Sequence, residues 1–160
     1  MRQPYQVLVF PYRKINKEYQ FCIFFREDLK VWQGIAGGVD DNESIIIAAK
    51  REAFEEANIK KTAAFIKLES STKISVIDVV GEFLWGKDTY LITEFAFGVD
   101  AQNEKIKLSF EHLEYKWTNY DDAIKLLNWD SNKTALWELN ERLKRRDMNE
   151  STISNINNTI

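Results

Sequence analysis

The apolar positions fall first into short blocks of strand length. Val7, Leu8, Val9 and Phe10 centre a run over residues 4 to 12, which predicts a first strand. Residues 13 to 18 are polar and read as a hairpin connection. Tyr19 to Arg26 forms a second apolar run, Glu27 to Lys30 a charged turn, and Trp32 to Ile35 a short third strand. Ala36-Gly37-Gly38 closes that strand, where paired glycines permit positive φ and a sharp turn. The period then changes. Ser44 to Ala57 fits a helix, with Asn42 as its cap and Asn58 as a left-handed end. At about 100° per residue, Ile46, Ala53 and Ala57 form an apolar stripe with Ile47 and Phe54 beside it. Glu52, Glu55 and Glu56 lie opposite, near the small Ala48 and Ala49.

Beyond the helix, Ala63 to Glu69, Ser75 to Phe83 and Thr89 to Phe97 read as strands, with a turn at Gly86-Lys87-Asp88. Ile106 to Phe110 is a short extended piece and Tyr115 to Thr118 a further strand. Asn119 to Leu127 reads as a short helix. Asn132 to Arg145 is the last helix, packing through Ala135, Leu136, Leu139 and Leu143. Residues 147 to 160 are rich in Asn, Ser and Thr, and read as a flexible polar tail behind a single domain over residues 1 to 146. Strands and helices in this order predict an α+β fold, an α/β/α sandwich around a mixed sheet.

Composition narrows the partners. A chain of 160 residues with 44% hydrophobic positions supports one domain with a substantial core. The formal charge is −3 and no basic stripe runs along the chain. Lys144-Arg145-Arg146 reads as solvation of a helix end, so no polymeric nucleic acid is expected as partner. Cys22 is the only cysteine, which excludes an internal disulfide and fits a reducing, cytoplasmic setting. No cationic leader precedes a long apolar stretch, so no membrane association is expected.

The carboxylates change the picture. Glu52 and Glu56 stand one helical turn apart with Glu55 on the same broad side. Like charges at that spacing disfavour an isolated helix. Arg51 can pair with Glu55, four residues on, and a hard divalent cation can neutralise Glu52 and Glu56 through oxygen ligands. Taken alone, the segment is also compatible with a solvated acidic helix face.

The order Gly37, five residues, Glu43, seven residues, Arg51-Glu52-Ala53, then Glu55-Glu56 and Ile59, resembles the Nudix box. Asn58 stands at its final glycine and Ala36 at the proline before the double glycine. Neither change removes a carboxylate. The resemblance covers about residues 3 to 146 and implies the Nudix fold, with the box as loop, helix, loop. It implies Mg2+, with Mn2+ as substitute, held by Glu52, Glu55 and Glu56. It further implies that Arg51 orients the acidic cluster, Glu43 stabilises the loop, and Gly37 and Gly38 shape the phosphate pocket.

A second segment, Leu108-Ser109-Phe110-Glu111-His112-Leu113-Glu114-Tyr115-Lys116-Trp117, resembles the branch of that family acting on dihydroneopterin triphosphate or dATP. Trp32-Gln33 and Trp129-Asp130-Ser131-Asn132 are similar to the same branch. By this resemblance Glu111 joins the catalytic and metal-binding glutamates from outside the box. A helix cap or salt bridge is its alternative role. His112 is a phosphate or proton-transfer contact, or a loop support. Arg26, Trp32, Gln33 and Lys116 are further candidate substrate contacts, with Phe25 beside Trp32 as a stacking surface; simple packing or surface pairing accounts for them equally well.

The activity implied is metal-assisted attack of water on a pterin or nucleoside triphosphate, between the α and β phosphates, giving a monophosphate and pyrophosphate. Glu55 is the first candidate for proton acceptor and Glu111 the second. Other small phosphoanhydrides remain open as substrates: an oxidised nucleotide, a dinucleoside polyphosphate or a nucleotide sugar. A nucleotide sensor of the same fold is a further alternative, disfavoured by the intact glutamates. The expected assembly is a monomer or homodimer.

Overall fold

The computed structural model describes residues 2–110, 112 and 114–158. Its centre is a seven-stranded mixed sheet built around one long strand. β1 (Arg2–Ile15) pairs antiparallel with β2 (Glu18–Arg26) and β4 (Ile35–Asp40), and parallel with β6 (Leu91–Asp100). β3 (Val31–Gln33) and β7 (Glu114–Thr118) join β2, and β5 (Phe65–Ser75) joins β6. The unbroken apolar run of β1 follows from burial on both faces. Val7 and Val9 enter a core beneath α1 (Ile45–Ala57). Leu8 and Phe10 enter a second core beneath α3 (Tyr120–Leu126) and α4 (Asp130–Asn158). The chain therefore folds as the expected α+β sandwich, with helices on both faces of a mixed sheet.

Several elements differ from the sequence expectation. The β1–β2 hairpin turns on two residues, Asn16 and Lys17, both at positive φ, so β1 continues to Ile15. Ser75 to Phe83 is not a strand. Ser75 ends β5 and caps α2 (Val76–Val80), and Gly81, at φ 78°, terminates it. A serine cap, five apolar-rich residues and a left-handed glycine close one helical turn, which a strand pattern imitates. Ile106 to Phe110 forms no regular strand. Lys107 and Ser109 instead donate backbone N–H groups to the carbonyls of Ala57 and Glu56, so this segment runs along the end of α1.

α1 itself is rotated relative to the expected stripe. Ser44, not Asn42, is its cap, and the Ser44 side chain accepts from the Ile47 N–H. Asn42 sits at φ 67° in the preceding turn. The buried face consists of Ala48, Ala49, Glu52, Ala53, Glu56 and Ala57. Ile47 and Phe54 are 52% and 47% exposed. Small residues let the helix lie close to the sheet, and the space so gained holds two carboxylates instead of two large apolar side chains. Asn58 ends the helix at φ 61°, as expected, with its N–H turned back to Ala53 and Phe54 carbonyls.

α4 begins at Asp130 and continues to Asn158, past the expected end at Arg145. Residues 147 to 158, expected as a flexible tail, are thus helical in backbone. Asp147 belongs to the packed body, since it accepts from Lys14 Nζ and Tyr19 Oη, each at 2.8 Å. Cys22 is fully buried and burial pushes its thiol pKa up, in keeping with a packing role. No described helix is long and apolar enough to cross a membrane.

Candidate active site

Arg51 organises the acidic residues. Its Nε and Nη2 donate to the two carboxylate oxygens of Glu43, at 2.6 and 2.9 Å. Nη1 donates to Glu52 Oε1 at 2.8 Å and to Glu55 Oε2 at 3.2 Å, and Nη2 also reaches the Gly38 carbonyl at 2.8 Å. A planar guanidinium suits this task because its donors point in fixed directions to several acceptors at once. The loop before the helix is set in the same way. Glu43 Oε1 accepts from the Asp40 N–H, and Gln3 Nε2 donates to the carbonyls of Asp40 and Glu43. The bond from Arg51 holds the Glu43 carboxyl below the ordinary range, and Glu43 in turn is the largest cause raising the pKa of Arg51.

Glu52 rests on the backbone of β4. A β-carbon at Gly37 would fall onto the Glu52 carboxyl, and one at Gly38 onto the Arg2 guanidinium. Neither glycine has a positive φ; both lie in extended strand, so the expected sharp turn at this pair is replaced by close approach. Burial raises the Glu52 pKa to about 7, against the lowering effect of Arg51.

Glu56, one turn on, is also buried. Its Oε2 accepts from Ser109 Oγ at 2.8 Å and lies 3.2 Å from His112 Nε2. His112 is buried against the Phe24 ring, with centroids 5.5 Å apart, and its Nδ1 has no hydrogen-bond partner among the described residues. It therefore supports Glu56 while also lining an adjacent cleft. Glu55 is half exposed and pairs with Arg51, four residues before it.

That cleft has a volume of about 410 Å³ and is lined by Arg26, Glu27, Asp28, Gln33, Ala36, Phe110 and His112. Three of the sequence-predicted substrate contacts, Arg26, Gln33 and His112, are thus brought together. Gly37 and Gly38 follow Ala36 directly along β4. Arg26 is paired with Asp28, Nε to Oδ1 at 3.0 Å. Gln33 Oε1 accepts from Trp129 Nε1 at 3.0 Å. Trp32 packs away from this lining, with its ring centroid 5.3 Å from that of Phe25, and against the second core. Lys116 is exposed on β7, also apart from it. Glu111 lies outside the described residues.

Sequence reasoning did not assign Ser109 to Glu56, because that contact depends on how an irregular segment crosses the end of α1. It also missed the polar ladder in which Arg2 Nη2 donates to Gln6 and Gln6 Nε2 donates to Glu94, at 3.0 and 2.7 Å. Burial raises the pKa of Glu94. The alternation of Gln6 with Val7 and of Glu94 with Phe95 is the only signal that β1 and β6 carry these groups on one face.

A NUDIX domain profile matches residues 7–137. The chain belongs to the NUDIX family. A Listeria monocytogenes structure named for the NUDIX hydrolases is 44% identical, with a TM-score of 0.82, covering 91% of this chain and 97% of that one. Dihydroneopterin triphosphate diphosphatase of Escherichia coli K12 is 26% identical over 137 residues, 84% of this chain and 91% of its own length. The structure of the E. coli dihydroneopterin triphosphate pyrophosphohydrolase aligns with 25% identity and a TM-score of 0.71, over 87% of this chain and 97% of that one.

Membership makes the chain a hydrolase of phosphoanhydrides, and NUDIX hydrolases often use divalent metal ions. The donor chemistry here fits such an ion. Glu52 and Glu56 are hard oxygen donors, buried and one turn apart, and Glu52 Oε2 makes no hydrogen bond among the described residues. Among the described residues no group of three Asp, Glu, His or Cys side chains is gathered tightly enough to hold a metal by itself. Further ligands would come from water, from substrate, from an approach of Glu55 or from residues outside those described, as suits an ion that keeps part of its hydration.

Proposed function

We propose that this NUDIX hydrolase cleaves the bond between the α and β phosphates of a pterin or nucleoside triphosphate, dihydroneopterin triphosphate or dATP, giving a monophosphate and pyrophosphate. The observation that carries the reading is a pair of buried carboxylates, Glu52 held by Arg51 and Glu56 held by Ser109 and His112, beside a cleft containing Arg26, Gln33 and His112. The likeness to the E. coli dihydroneopterin triphosphate diphosphatase supports the choice of substrate.

In this reading Glu52 and Glu56 hold Mg2+ or Mn2+, with Glu55 and Glu111 as further ligands. When bound there, such an ion would supply positive charge for the phosphate oxygens and would lower the pKa of the attacking water. The protein supplies the positioning. Gly37 leaves the room in which Glu52 lies, while Ser109 and His112 fix one oxygen of Glu56. Arg51 keeps three glutamates close despite their repulsion. Glu55, the most solvent-accessible of the box glutamates, takes the proton from the attacking water, with Glu111 as the alternative acceptor. Arg26 and His112 face the phosphates and Gln33 the heterocycle edge. We assign a cytoplasmic location on the single buried, unpaired Cys22.

Turnover of dihydroneopterin triphosphate, dATP, other nucleoside triphosphates, dinucleoside polyphosphates and nucleotide sugars in Mg2+, with product analysis, tests the assignment. Pyrophosphate release from dihydroneopterin triphosphate or dATP is expected to exceed the rest. Glu56→Gln is expected to lower kcat at least about a thousandfold at saturating Mg2+ while the far-ultraviolet spectrum stays native. Unchanged Mg2+-dependent turnover in that variant would remove Glu56 from the metal site.

A further inference from the structure

Phe110 is 96% exposed, the most exposed large apolar side chain among the described residues, and it borders the cleft with Arg26, Gln33, Ala36 and His112. An isolated surface phenylalanine needs no explanation, but this one stands on an anchored segment. Before it, Leu108 packs against the first core, and Ser109 is tied to Glu56 through both its backbone N–H and its hydroxyl. After it, buried His112 packs on Phe24, and its N–H reaches back to the Ser109 carbonyl at 3.5 Å. Ser109 before it and His112 after it are held against the protein, and the Phe110 ring is left in water beside the cleft.

We propose that Phe110 forms the stacking face for the planar heterocycle of the substrate. The inference rests on the triphosphate reading above and adds to it the residue that recognises the ring. Trp32, an aromatic that the sequence offers for this task, packs on Phe25 and against the second core instead. The cleft also offers an edge contact. Gln33 Oε1 is taken by Trp129, while its amide N–H groups donate to no described residue and can meet a ring nitrogen or carbonyl. Stacking from Phe110 and an edge bond from Gln33 together recognise a planar, hydrogen-bonding ring such as a purine or a pterin. Because the segment is pinned to Glu56, the ring is held at a fixed distance from the carboxylates that serve the phosphates.

The test is equilibrium binding by calorimetry, in Mg2+, of α,β-methylene dATP and of inorganic tripolyphosphate to the wild-type protein, Phe110→Ala and Phe110→Trp. Phe110→Ala is expected to weaken the nucleotide analogue about tenfold and to leave tripolyphosphate unchanged. Phe110→Trp is expected to bind the analogue at least as tightly as wild type. Equal affinity of wild type and Phe110→Ala for the analogue overturns the proposal. So does a parallel loss for tripolyphosphate, which marks a general change in the segment, and so does absence of analogue binding to wild type. Binding with the expected pattern but no turnover of any triphosphate would reject the hydrolytic reading while leaving the stacking role standing.

Discussion

A side chain of any size at position 37 would occupy the place of the Glu52 carboxyl, so the glycine serves the carboxylate and not a turn. The position of Glu52 has an electrostatic consequence. Burial places its pKa near 7, whereas an unfolded glutamate ionises near 4.5. Between these values the unfolded chain has released a proton that the folded protein still holds. The metal-free protein therefore loses stability as pH rises through this window, by up to about 3 kcal/mol. Glu52→Gln in EDTA is expected to flatten the dependence of urea-unfolding stability on pH between 4.5 and 8, and to be the more stable protein at pH 8. A wild-type slope retained in that variant would assign the effect to another group. The identity of the box residues was legible in the sequence because their spacing is long and specific. The contacts of Glu56 with Ser109 and His112 were not, since they join residues more than fifty positions apart through an irregular segment.

At the scale of elements, α1 shows how a helical wheel can be right about period and wrong about side. Its apolar residues Ile47 and Phe54 face water, while alanines and two glutamates face the sheet. Counting hydrophobic side chains selects the larger ones for the core, yet close packing against a strand containing Gly37 selects the smaller. The ends of the helix were partly legible. Asn58 was correctly read as a left-handed end because asparagine tolerates that region, whereas the cap fell two residues later than expected, at Ser44. Asn58→Gly is expected to melt within a degree or two of wild type, and Asn58→Ala to lose about 1 kcal/mol, as read by thermal unfolding. Equal melting of the two variants would show that the left-handed geometry is not maintained at this end. The strand mistaken at Ser75 to Phe83 has the same origin: a helix of one turn is too short to display a period.

For the whole molecule, the sandwich was legible from the alternation of apolar blocks, and its limits were not. The family match ends at residue 137, but Leu139 and Leu143 are buried in the second core, and Gly98 of β6 lies so close to Leu139 that a β-carbon there would collide with it. The folding unit therefore extends along α4 at least to Asp147, which Lys14 and Tyr19 hold. A chain ending after residue 147 is expected to unfold cooperatively within about 5 °C of the full chain, whereas one ending at residue 137 loses two buried leucines and is expected not to fold. A cooperative transition in the shorter chain, followed by circular dichroism, would show that the second core closes without them.

β1 and β6 have one more consequence, which concerns synthesis. The strand that occupies the middle of the sheet is made first, and the strand lying parallel beside it ends only at Asp100. As the chain emerges from the ribosome, Tyr12 to Ile15 can close a hairpin with β2 and Val7 to Val9 can then meet β4, but the other edge of β1 stays open until β6, which begins at Leu91, has appeared. Nascent chains arrested before β6 has emerged should thus present an apolar strand edge to chaperones or to one another, and chains arrested after it should not.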